Sequence, residues 1–239
     1  MTSDNMPGRI ETVARSTTKA IVWRTLTVGK KEVLAISAPV LFYLIMLVAE
    51  CLQVGYNPIS DTISSLVWGT YGWLQTVNFF VFGGLLIAFV IGLRLNIKDK
   101  FKPIAGRVNL FLIGVGFVIL AVCPSQSPEG IKTAQAFIHN IAVGSMAFLF
   151  PVACFLLEPG FRSDSRSGFM ASYTIAAGII GLCLIVIGVF LLVTEISCFG
   201  LLERLLLSNA LLWLEVFGFH SMRTRKNTIK NANNIIKNM

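Results

Sequence analysis

Residues 171–193 read ASYTIAAGIIGLCLIVIGVFLLV, 23 residues without a charged side chain. As a helix the run would be about 35 Å long, at roughly 1.5 Å per residue, which is enough to cross the ~30 Å hydrocarbon core of a bilayer. It has no polar face with which to lie on a water-soluble core. Five further apolar runs accompany it, at 33–53, 73–94, 107–123, 135–157 and 200–221, the third being the shortest. The whole chain agrees: 55% of its 239 residues are hydrophobic, 13% are charged and the mean hydropathy is +0.75. That is too apolar for a chain of this size to cover itself with polar groups. The expected fold is all-α, a polytopic membrane protein with a six-transmembrane-helix bundle over residues 33–221. A basic segment, 1–32, precedes it, and a basic tail, 222–239, too polar to pack, follows. No internal repeat is evident.

Charge placement gives an orientation. Lys and Arg in short loops resist translocation, and all but Lys132 and Arg204 of the 20 basic residues fall in the N-terminal segment, the second and fourth connections and the C-terminal tail. Both termini are therefore expected in the cytoplasm, with the protein in the plasma or inner membrane. Residues 1–32 lack the apolar centre of a cleavable signal, so the first span is expected to serve as its own insertion signal. The same placement explains the net charge of +8: these bases flank spans and meet anionic membrane lipid, so nucleic acid is not an expected partner. Residues 10–28 read either as an interfacial helix with Trp23 at the headgroups or as a loosely ordered basic lead-in.

Residues 54–72 then form an extracytoplasmic connection, with Tyr56, Trp68, Tyr71 and Trp73 suited to the headgroup belt. Within GYNPISDTISSL, residues 55–66, Pro58 stops the first span, Ser60 is the expected N-cap of a short helix and Asp61 falls in its first turn. Counted inward along the spans, Glu50, Asn78, His139 and the Glu203–Arg204 pair share one level beneath this connection. Ionisable groups in spans mark sites by default. Two readings of that level stand open: paired side chains that lock the bundle, or the lining of an outward-facing pocket that handles a proton or a ligand headgroup. Glu215 lies much deeper, and His220 reads as a surface residue near the opposite interface.

Among the five cysteines, a disulfide between two of Cys51, Cys123 and Cys198 is compatible with an outer location. There is no CxxC, HExxH, GxSxG or phosphate-cradling glycine loop, and the two histidines lie at opposite ends of the membrane. No metal and no cofactor is expected on this pattern. Gly83, Gly84, Gly114, Gly116, Gly178 and Gly181 read as close helix packing, Ala177 and Gly181 standing at small-xxx-small spacing. Pro151 is expected to kink the fourth span.

Four separated segments carry a resemblance: YNPISDTISSL after the first span, Asn78 in TVNFFVFGGLL, CPSQSPEG followed by FIHNIA, and GLLERLLLSNALLW in the sixth span. Together, over roughly residues 35–222, they resemble the six-span membrane family known as domain of unknown function 998. The turn after the third span reads CPSQSP where family members often carry an acid. The resemblance implies six helices and a shared constellation of Pro58, Ser60, Ser64, His139, Asn140, Glu203 and Arg204; it implies no reaction. The candidate polar pocket thus comprises Glu50, Pro58, Ser60, Asp61, Ser64, Asn78, His139, Asn140, Glu203 and Arg204. The first reading is binding or sensing of a lipid or other hydrophobic or amphipathic small molecule, with Arg204 and His139 meeting an anionic headgroup. The others are a proton-coupled small transporter, a lipid-modifying enzyme with His139 as base near Asp61 or Glu203, and a structural or accessory subunit. Whether the chain is an enzyme is left open, as is its oligomeric state.

Overall fold

The computed structural model of the protein describes residues 29–93, 101–127 and 130–237. The elements are α1 (Gly29–Leu52), a 3₁₀ helix (Ile63–Trp68), α2 (Gly72–Gly92), α3 (Phe101–Val122), α4 (Ala134–Arg162), α5 (Gly168–Thr194) and α6 (Phe199–Lys237). Among the described residues no strand occurs. Six helices are long and apolar enough to cross a membrane. The expected segment 10–28 with Trp23 lies outside the described residues.

Each long helix packs on its neighbours in the chain, and α1 also packs on α6, so the six close into a ring. The α4–α5 and α5–α6 connections, residues 163–167 and 195–198, are short, and a turn of a few residues returns the chain antiparallel beside the helix it left. Two sets of contacts define the ends. At one, which we call the Arg204 end, the amide of Leu201 donates to the Ile59 carbonyl and Trp68 Nε1 donates to Ser125 Oγ. At the other, the His220 end, His220 Nε2 lies 3.3 Å from Ser167 Oγ and Arg166 donates to Thr228.

Two aromatic clusters fill the interior. Phe42 of α1, Phe82 of α2 and Phe117 of α3 meet edge-on, with Phe82 and Phe117 centroids 4.7 Å apart. Nearer the His220 end, Phe217 of α6 meets Phe89, Phe161 and Trp213. Trp213 is buried with its indole N–H donated to Thr174 Oγ1 at 3.0 Å, which removes the cost of an unpaired donor in an apolar core. The outside is the reverse of a soluble protein: Val186, Phe190, Leu192 and Val193 of α5 are all well over half exposed. A face of that kind is stable against lipid and aggregates in water.

Small residues set how closely the helices approach. A Cβ on Gly83 would lie 2.7 Å from the Gly114 carbonyl oxygen, so α2 and α3 are in backbone contact. On α5, a Cβ at Gly181 would lie 2.9 Å from the Pro151 ring, and the Ala177 carbonyl accepts from Asn209 Nδ2 of α6. The small-residue spacing on α5 therefore seats both neighbouring helices. Pro151 and Pro159 both lie within α4, which runs unbroken to Arg162.

Several boundaries differ from the expected spans: α1 starts at Gly29 and not 33, α4 ends at Arg162 and not 157, and two larger differences involve charged segments. α3 starts at Phe101, so Lys102 and Arg107 lie within the helix; long basic side chains reach the interface from the first turns. The tail after residue 221 continues α6 as helix to Lys237, because 219–237 contains neither Gly nor Pro to stop it. At about 1.5 Å per residue, α6 is roughly 58 Å long, nearly twice the hydrocarbon core, so its C-terminal turns project beyond it.

Candidate functional site

The connection between α1 and α2 folds first on itself. Asp61 Oδ2 accepts the Asn57 amide at 2.8 Å, Oδ1 accepts Ser60 Oγ at 3.0 Å, and the Asp61 amide donates to the Asn57 carbonyl. Gly55, at φ +77°, supplies the left-handed residue that turns the chain out of α1. This closed turn moves the helix start downstream. Thr62, not Ser60, is the N-cap of the 3₁₀ helix, accepting the Ser65 amide, and Asp61 precedes the helix. Ser60 and Asp61 are occupied with one another, which leaves the Thr62 hydroxyl as the group positioned to cap.

The folded connection then docks on the start of α6. A Cβ on Gly200 would overlap the Asp61 carbonyl, so glycine is the residue that lets the turn sit there. Arg204, one turn further, uses four of its five N–H donors. Nη1 donates to the Asp61 and Gly200 carbonyls at 3.0 and 2.9 Å, and Nη2 donates to Glu50 Oε1 and Tyr56 Oη, each at 2.5 Å. Tyr56 Oη in turn donates to the Thr62 carbonyl at 2.8 Å. Burial raises the Tyr56 phenol to about 12, outweighing the hydrogen bond from Arg204, which acts the other way. The Glu50 and Arg204 side chains are each 15% exposed, so the pair is largely withdrawn from solvent and both partners need one another.

Glu203, beside Arg204, faces elsewhere. Its Oε2 accepts the Ile63 amide at 2.6 Å, satisfying a donor at the start of the 3₁₀ helix. Oε1 has no hydrogen-bond partner among the described residues. Glu203 and Ile63 stand at one end of a cavity of about 120 Å³ between α4 and α6. Its other walls are Phe79 of α2; Ile113, Phe117 and Leu120 of α3; Val143, Met146, Ala147 and Phe150 of α4; and Leu206, Leu207 and Ala210 of α6. α4 and α6 are not adjacent in the ring, and the gap between them is what leaves the space.

The remaining candidates do not join the Arg204 cluster. His139 is buried at the start of α4, its Nδ1 donating to the Cys123 carbonyl at 2.7 Å, and Nε2 has no partner among the described residues. That bond ties α4 to the end of α3 and fixes the tautomer. Asn78 donates to the Phe42 carbonyl and to Gln75 Oε1. Phe42 is eight residues from Glu50, about 12 Å along α1, so Asn78 lies a layer deeper. Ser64 is buried; its carbonyl accepts Ser125 Oγ, which joins the CPSQSP turn to the 3₁₀ helix. Pro58 and Asn140 are exposed. Among the described residues no hydrogen bond joins His139 to Asp61 or Glu203: the His139 ring bonds the Cys123 carbonyl, Asp61 bonds within its own turn and Glu203 bonds the Ile63 amide. Cys51, Cys123 and Cys198 are free thiols.

The sequence reading missed Tyr56 as a network member, Gly200 and Thr62. Tyr56 carries a signal in hindsight, an aromatic hydroxyl six residues from a span carboxylate; Gly200 carries none without the docked turn. The arrangement does two separate things: Arg204 locks the connection over the bundle, and Glu203 lines an otherwise apolar cavity. A family model described as Protein of unknown function (DUF998) matches residues 36–220. No curated protein and no solved structure matches the chain.

Proposed function

The chain belongs to the DUF998 family, described as of unknown function, and has six helices long and apolar enough to cross a membrane; we propose its function from geometry: it binds an amphipathic small molecule inside the bundle. The tail occupies the cavity between α4 and α6, and a hydrogen-bond donor on the head, a hydroxyl or an amine, meets Glu203. The observation that carries this reading is the cavity itself, about 120 Å³ lined by apolar side chains and one carboxylate. Apolar engineered cavities of about 150 Å³ stay dry and take up benzene-sized guests.

Physical chemistry assigns the two parts different roles. Lipid tails are as apolar as leucine, so moving a hydrocarbon from the bilayer into the cavity gains only better packing. Discrimination must come from the polar contact, because a ligand without a donor leaves the Glu203 oxygen unpaired. In this reading Arg204 and His139 do not receive an anionic headgroup. Arg204 is occupied by Glu50, Tyr56 and two carbonyls. The Arg204 end faces the extracytoplasmic side of the cell membrane and the basic His220 end faces the cytoplasm, as the placement of Lys and Arg favours.

Native mass spectrometry of protein purified in mild detergent tests this. Wild type is expected to retain a small amphipathic molecule. Ala210→Phe, which fills the cavity, is expected to lose it, and Leu212→Phe on the exposed face is expected to keep it. Retention by the Ala210→Phe variant would refute the assignment.

A further inference from the structure

At the His220 end, the polar continuation of α6 runs past the α4–α5 turn and leaves a groove of about 330 Å³. Arg166 and Phe169 form one wall, and His220, Arg223, Asn227 and Asn231 of α6 form the other. Those four recur every three or four residues and so share one helix face. Arg166 is braced: it donates to both Asp164 oxygens, and its Nη1 donates to Thr228 Oγ1 at 3.0 Å. The Arg166 guanidinium holds the Asp164 carboxyl below its ordinary value, so that carboxylate offsets one positive charge. Arg223 is exposed and has no ion-pair partner among the described residues.

The groove is amphipathic across its width. Phe169 is 65% exposed and stacks on Tyr173, continuing the apolar surface of α5. The arginines and amides lie on the other side. His220 is 21 residues along α6 from Phe199, about 32 Å at the helical rise, one hydrocarbon thickness from the Arg204 end. The groove therefore sits at headgroup level.

We propose that it binds the phosphate of an anionic glycerophospholipid of the adjoining leaflet, with Arg223 and the Asn227 amide on the phosphate and Phe169 along the acyl chain. Guanidinium N–H pairs match phosphate oxygens. The apolar wall favours a lipid over a free anion, which would leave Phe169 without a role. This site is independent of the cavity at Glu203.

Full-length protein in mild detergent is titrated with dioctanoyl phosphatidylglycerol, dioctanoyl phosphatidylcholine and inorganic phosphate, with binding read by native mass spectrometry. Phosphatidylglycerol is expected to bind more tightly than phosphatidylcholine. Arg223→Gln is expected to weaken it about fivefold, the effect of one basic side chain at a membrane surface. Lys226→Gln, which removes the same charge outside the groove, is expected to leave it unchanged. Equal weakening by both variants, or none by Arg223→Gln, would overturn the proposal. So would displacement of phosphatidylglycerol by an equal concentration of inorganic phosphate.

Discussion

A guanidinium in the second turn of a membrane helix is costly when its donors face hydrocarbon; Arg204 avoids that cost by binding four oxygens from three parts of the chain. Removing it leaves Glu50 as an uncompensated, largely buried carboxylate. Arg204→Ala is therefore expected to lower stability by about 3 kcal/mol, seen as a fall in thermal midpoint in detergent, while Glu50→Gln, which keeps an acceptor, costs less. Equal midpoints for Arg204→Ala and wild type would contradict the lock. Tyr56 adds a pH signature. Its phenol is raised from 10.0 to about 12 in the folded protein, so the folded state holds this proton more tightly than the unfolded chain. The stabilisation is fully present below pH 10 and is lost as pH rises through about 12. Stability above pH 10 is expected to fall more steeply in wild type than in Tyr56→Phe, measured by denaturant titration across that range. Of this cluster, Glu50 and Arg204 were legible in the sequence because charges in apolar runs are conspicuous. Their partners were not: two are backbone carbonyls, which have no residue-type signal, and Tyr56 resembles any interfacial aromatic.

At the scale of helices and connections, length and hydropathy identified all six spans, since burial in lipid demands about 20 apolar residues whatever the tertiary packing. The errors fell where charge and helix coexist. Lys102 and Arg107 disguised the start of α3, and the polar composition after residue 221 disguised a helix that lacked any stop signal. Polarity reports solvent and helicity reports backbone preference, and the two diverge at a membrane boundary. The glycines give a paired prediction. A side chain at Gly83 meets the Gly114 carbonyl, whereas nothing lies within 4 Å of one at Gly84. Gly83→Val is expected to destabilise the α2–α3 contact by about 1–3 kcal/mol, and Gly84→Val to be close to neutral, both read from thermal midpoints in detergent. Equal effects would mean that α2 and α3 do not cross at Gly83.

Over the whole molecule, a ring of six helices must either fill its centre or leave space, and here aromatic clusters fill most of it. Among the described residues, one space left unfilled lies between the non-adjacent α4 and α6. It was not legible in the sequence, because a void arises from the sizes of side chains on four helices and not from any one motif. Sequence spacing assigned Glu203 the same surroundings as Arg204; helix rotation sends one to the lock and the other to the cavity. The most direct measurement is photo-crosslinking of the full-length protein in lipid nanodiscs with a diazirine-bearing fatty alcohol, with adducts mapped by peptide mass spectrometry. Adducts are expected to concentrate on Met146 and Leu207 and to be abolished by Ala210→Phe. Adducts confined to the exposed face of α5, at Phe190 and Val193, and unaffected by that substitution would contradict binding in the cavity.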